Sequence, residues 1–148
     1  LLTNSSKSNL RRKMKVDSSA WRDPNDSDQV AQVYVIDNGK VLILKRSDWL
    51  AWAPNRWALP GGHVEIGEEN EIAAIRELQE ETQLAAVIIE HFESDDHLHY
   101  FIVTQYTNEI KLNEEHTDYA WVSVEELNDF DIVPEVKKRI ETLFNTVR

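Results

Sequence analysis

Glu77, Glu80 and Glu81 stand at positions i, i+3 and i+4 in a run without glycine or proline. If that run is helical, at about 100° per residue, the three carboxylates share an arc of roughly 100° on one face. Two kinds of chemistry fit such a face. It can be a solvated acidic surface, partly neutralised by the adjacent Arg76. Alternatively, hard oxygen donors clustered on a rigid element can hold Mg²⁺ or Mn²⁺, with waters completing the octahedron. Like charges at this spacing destabilise a helix by a few tenths of a kcal/mol per pair, and a bound cation would offset that. Gly61-Gly62 leads toward the run, and without a Cβ the backbone there can approach a ligand closely. The chain has no cysteine, so any metal must sit on oxygen or imidazole.

Other residues could hold a substrate. Lys45, Arg46 and Arg56 are candidates to grip phosphates, though each is equally explained as surface charge. Trp49 and Trp52 lie in a loop-like stretch and could stack on a nucleobase or simply pack. His97 and His99 alternate to one side of a strand-like run. They are candidates for a second, imidazole metal site, but two exposed histidines need no metal.

The elements that must position these groups follow from pattern. Gln29–Ile36 alternates and is β-branched, then Asn38-Gly39 precedes the run Val41–Lys45. Asn-Gly between two such runs predicts a hairpin with both central residues at positive φ. Pro60-Gly61-Gly62 predicts irregular backbone. Residues 69–82 are rich in Ala, Leu, Glu and Arg and predict a helix, with Ile72, Ile75 and Leu78 opposite the acidic stripe. Strand-like runs follow at about 86–93, 98–106 and 119–122, with Trp57 and Trp121 expected in the core. Ser123 to Glu126 reads as a capping box opening a short helix, and Pro134 as the first residue of a last one. The pattern is mixed, mostly antiparallel strands with one central and one terminal helix.

The acidic segment resembles the Nudix box, G-x5-E-x7-R-E-U-x-E-E-x-G-U with U aliphatic. It matches at Gly62, Glu68, Arg76, Glu77, Leu78, Glu80, Glu81 and Leu84, and departs only at Gln83, where the family has glycine. The preceding Trp57-Ala58-Leu59-Pro60-Gly61-Gly62 is also similar, and the likeness extends over about residues 29–148. It implies an α+β fold, an α/β/α sandwich around a mixed sheet. It also implies that Glu77, Glu80 and Glu81 bind metal, joined by a backbone carbonyl near Gly61 or Gly62. Arg76 would orient the carboxylates, and Glu68 would buttress the loop–helix corner or add a more distant ligand. Gln83 is expected to cost about 1 kcal/mol or to force a different helix end.

The implied activity is Mg²⁺- or Mn²⁺-dependent hydrolysis of a nucleoside diphosphate linked to another group, by water attack at phosphorus. Dinucleoside polyphosphates, ADP-ribose, nucleotide sugars and nucleoside triphosphates are all candidate substrates. The proton acceptor would be Glu77 or a carboxylate of the later run Asn113-Glu114-Glu115-His116, with Glu115 favoured over Glu114. Tyr100 lies sixteen positions after the box. Family members that split dinucleoside polyphosphates often carry a tyrosine there, which leans toward such a substrate. A catalytically silent nucleotide-binding or regulatory domain is the rival reading, against which the intact carboxylates speak.

Bulk properties set the remaining bounds. With 148 residues, 41% of them apolar, one domain with a real core is expected. The division is a flexible polar leader, residues 1–28, and a domain over 29–148. No run reaches the roughly 18–20 apolar residues of a membrane helix. The net charge is −11, and Lys7, Arg11, Arg12, Lys13 and Lys15 concentrate basic charge at the start, leaving the remainder more acidic still. Such a body repels a nucleic-acid backbone, which also disfavours an enzyme of RNA 5′ ends. The absence of cysteine fits a reducing, cytoplasmic setting. A small-molecule nucleotide is the expected partner, with a homodimer as a further candidate.

Overall fold

The structure, a computed structural model, describes residues 23–147. Its order is β1 (Asp26–Asp37), β2 (Lys40–Arg46), β3 (Trp57–Ala58), β4 (Gly61–Glu65), α1 (Asn70–Thr82), β5 (Ala85–Asp95), β6 (Leu98–Thr107) and β7 (His116–Val122). A short 3-10 helix (Val124–Asp129) and α2 (Pro134–Val147) complete it. The seven strands form one mixed sheet in the order β3-β2-β1-β6-β5, with β4 added beside β1 and β7 beside β2. β1 and β6 run parallel, from Val30 opposite Leu98 to Val35 opposite Val103, while the other strand pairs are antiparallel.

Strand alternation separates two cores. Val33, Val35, Leu42, Leu44, Phe101 and Val103 face α1 and meet its Ala73, Ala74 and Leu78. Their neighbours Tyr34, Val41, Ile43 and Tyr100 face the other way, against Ile140, Leu143 and Phe144 of α2. The result is the α/β/α sandwich that the sequence suggested. The β1–β2 turn has Asn38 at φ 52° and Gly39 at φ 73°, as the Asn-Gly pair requires. Trp57 and Trp121 are half-buried, each packed against one core.

Several expectations need correction. β1 begins at Asp26, so Asp26 to Asp28, assigned to the leader, belong to the sheet; residues 1–22 of that leader lie outside the described residues. Gly61-Gly62 is not irregular backbone but the start of β4, with Gly61 opposite Gln32 and Gly62 opposite Ala31. Glycine permits the close approach: a Cβ on Gly61 would lie 2.3 Å from the Ala31 carbonyl oxygen. The buried face of α1 is Ala73, Ala74, Glu77, Leu78, Glu81 and Thr82, whereas Ile72 is 49% exposed. Small residues bring this helix close to the sheet and draw two of its acids inward. Glu126 accepts the Ser123 N–H as the capping box demands, but the turn it opens is 3-10.

Candidate active site

α1 emerges from the turn after β4, so its acids lie beside the strand that holds the two glycines. Glu77 and Glu81 are only 7% and 4% exposed, respectively, and Glu80 is half-buried. The Gly61 N–H donates to Glu81 Oε1 at 3.0 Å. A Cβ on Gly62 would fall 2.7 Å from the carboxylate carbon of Glu77. One glycine therefore admits a strand and the next admits a carboxylate.

Arg76 binds the acids together. Its Nε and Nη2 donate to the two oxygens of Glu68 at 2.8 and 2.9 Å, a bidentate pair. Its Nη1 donates to Glu77 at 2.9 Å and Glu80 at 3.1 Å. Burial works against the guanidinium's charge, but the Glu68 hydrogen bond and the charges of Glu77 and Glu80 outweigh it and raise its pKa. Glu68 also accepts the Glu65 N–H at 3.0 Å, which ties the corner before α1.

Among the described residues Glu81 forms no such ion pair. Burial raises its pKa well above the ordinary carboxylate value, and the charges of Glu77 and Glu115 raise it further; the Gly61 N–H and Arg46 pull the other way. Glu115 thus belongs to the same cluster although it comes from the β6–β7 connection. Arg46, at the end of β2, completes it: burial lowers its pKa, while Glu81 and Glu115 hold it up. Its Nε donates to the Trp52 carbonyl at 2.7 Å, and its guanidinium lies 4.7 Å from the centre of the Trp52 ring. Among the described residues no three acidic or imidazole side chains converge closely enough, as they stand, to wrap a cation. Arg76 occupies Glu77 and Glu80 instead.

The other expected residues divide. Trp52 is 49% exposed beside Arg46, and half-buried Trp49 sits in the same loop. Lys45 follows Val41 and Ile43 in alternation, toward the opposite face of the sheet from Arg46. The Arg56 side chain is engaged by Asp131 at 3.1 Å and by the Ile132 carbonyl at 3.3 Å, while its backbone carbonyl accepts the Arg46 N–H at 2.9 Å. Tyr100 is 5% exposed on the α2 face, stacked on Tyr34 and lying 4.4 Å under the Arg139 guanidinium. It is therefore built into the second core and not brought to the carboxylates. His99 bonds to Ser94 and Gln29, and His97 pairs with Asp96.

Sequence reasoning missed the supports of Glu115. Ser47 and Asn113 bond to its backbone, and the adjacent His116 is 7% exposed. Asn113 standing two residues before an acid is a turn-forming signal that could have pointed there.

Known proteins share this fold and sequence pattern. The NUDIX domain profile matches residues 27–143. A nucleoside triphosphatase NudI from Escherichia coli is 32% identical over 123 residues, 70% of this chain and 87% of the relative. An m7GpppN-mRNA hydrolase NUDT17 from Xenopus laevis is 57% identical over 47 residues, which make up 32% of this chain and only 16% of that protein. Among solved structures, MutT from Aliivibrio salmonicida and Vibrio cholerae superposes with a TM-score of 0.66 at 24% identity, covering 78% of this chain and 94% of that one. The NUDIX domain of Shewanella oneidensis NrtR, complexed with ADP ribose, gives 0.67 at 16% identity, covering 94% and 98%. No described helix is long and apolar enough to cross a membrane. Box residues at matching positions, a sheet with a helix on each face and a domain profile spanning most of the sequence together mean that this chain belongs to the NUDIX family, as a pyrophosphohydrolase acting on acid anhydrides.

Proposed function

We propose that the chain hydrolyses the diphosphate bond of a nucleoside diphosphate derivative by water attack at phosphorus, assisted by Mg²⁺ or Mn²⁺. The observation that carries this reading is the packing of Glu77 and Glu81, both nearly buried, against the two glycines that open β4, with the charge of Glu115 bearing on Glu81. Carboxylates crowded together out of water are costly, and a set of hard oxygens suits a hard divalent ion. Glu77, Glu80 and Glu81 would hold it, with a carbonyl of Gly61 or Gly62; Glu68 would act through Arg76. When bound, the ion supplies neutralisation of the diphosphate's charge and acidification of the attacking water.

The chain's own residues do the rest. Arg76 keeps Glu77 and Glu80 oriented through its bonds to both. Arg46 offers the phosphates a cation next to the acids, and Trp52 offers an exposed ring beside it for a base. Glu115 accepts the proton of the attacking water. The NudI likeness favours nucleoside triphosphates as the first compounds to try, with a cytoplasmic setting kept as part of the proposal.

The test is release of phosphate-containing products from nucleoside triphosphates, dinucleoside polyphosphates, ADP-ribose and nucleotide sugars, with Mg²⁺ and with chelator. Turnover of at least one, abolished by the chelator and restored by Mg²⁺, is expected. Tight binding of one compound without any turnover would instead make the chain a nucleotide-responsive domain.

A further inference from the structure

Ser47 follows Arg46 at the end of β2 and is 3% exposed. Its N–H donates to the Glu115 carbonyl at 2.8 Å, and its hydroxyl donates to the Glu114 carbonyl at 2.7 Å. Two consecutive carbonyls of one turn are thus held by a single residue from another strand. On the other side of the turn, Asn113 Oδ1 accepts the Glu115 N–H and meets His116 Nδ1, each at 3.2 Å. The Asn113 N–H reaches the Glu81 carbonyl at 3.3 Å, and the Lys111 N–H reaches the Thr82 carbonyl at 2.9 Å.

The turn is therefore strung between the end of β2 and the end of α1. Those anchors also carry Arg46 and Glu81, groups on whose ionisation the charge of Glu115 bears. A loop that merely connected β6 to β7 could leave its carbonyls to water. This one is fixed to both elements that bear the charged cluster.

We propose that Ser47, with Asn113 across the turn, is a positioning residue for the hydrolysis: it fixes the Glu114–Glu115 backbone so that the Glu115 carboxylate reaches the attacking water. The inference rests on the reading of Glu115 as proton acceptor. Misplacement of a reacting group by about 1 Å can cost ~10²-fold in rate, and a hydrogen-bonded backbone prevents such drift.

The test compares Ser47→Ala, Ser47→Thr, Asn113→Ala, Glu115→Gln and the double variant Ser47→Ala/Glu115→Gln, each first shown to keep its melting transition. The assay uses deoxynucleoside triphosphates and ADP-ribose with Mg²⁺. Ser47→Ala should lower kcat about 10- to 100-fold with KM within about twofold. Ser47→Thr, which keeps the hydroxyl, should recover most of that loss. With Glu115→Gln already present, Ser47→Ala should lower kcat no further. Should Ser47→Ala fail to fold, Asn113→Ala carries the same expectation from the other side of the turn. An impaired Glu115→Gln alongside a fully active Ser47→Ala overturns this inference alone, as does a double variant whose losses multiply. A fully active Glu115→Gln removes Glu115 from the chemistry and Ser47 with it. No turnover of any compound sinks the underlying reading as well.

Discussion

Replacing Glu81 by glutamine keeps the size of the side chain and an oxygen to accept the Gly61 N–H, and removes one charge from a crowd that includes Glu77 and Glu115. The variant should melt no lower than the parent, because a buried charge has been relieved. Its kcat should nevertheless fall by about 10²-fold or more, the scale on which one well-placed group acts. Full activity would separate the acids from the chemistry. His116 makes an opposite kind of prediction, about stability. Burial, and then the nearby charge of Arg46, push its pKa down to about 3. Between that value and the ordinary ~6.5 the unfolded chain takes up a proton that the folded chain refuses. Its stabilising effect is therefore complete above pH ~6.5 and is lost as the pH falls toward 3. Urea unfolding at pH 7 and pH 5 should show His116→Gln losing about 2 kcal/mol less than the parent between the two. Equal losses would refute the assignment.

At the scale of elements, the end of α1 and the start of β4 teach different lessons. Gln83 takes the left-handed conformation at φ 68° and donates its N–H to the Gln79 carbonyl at 2.8 Å, the geometry that glycine would adopt without strain. Gln83→Gly should raise unfolding free energy by about 1 kcal/mol, measured by chemical denaturation; a loss would mean that the glutamine contributes something beyond its backbone. Gly61→Ala should do the reverse, lowering it by about 2–4 kcal/mol, since its methyl would press on the β1 backbone at Ala31 and Gln32. A melt like the parent's would show that the strands can part. The first case was readable in the sequence, because a helix end is decided by neighbours in the chain. The second was not. Gly61 and Gly62 look like a loop until β1 lies beside them, and only that pairing makes them a strand. Ile72 misled for the same reason, since α1 packs through alanines where the sheet comes near.

For the molecule as a whole, the spacing of Glu77, Glu80 and Glu81 announced the acidic face, while the fold decided that Glu77 and Glu81 turn inward and that Arg46 and Glu115 join them. Nothing in the local sequence could place Ser47 against Glu115, because the contact depends on β2 pairing with β7. Tyr100 illustrates the converse: its distance from the box drew attention, yet the alternation of β6 turns it toward α2 and away from the acids. Chelation should leave the bulk of this frame standing, because both cores are apolar and contain no candidate ligand. A far-ultraviolet spectrum that collapsed on chelation would contradict that. The parallel junction of β1 and β6 carries a consequence for biosynthesis. β1 finds β2 and β4 soon after they are translated, but its other flank stays open until Leu98 to Val103 have left the ribosome. So long a closure is slow. The nascent chain must keep the acid-bearing helix, already made, beside an unfinished sheet, a stage at which a bare strand edge invites mispairing with other chains.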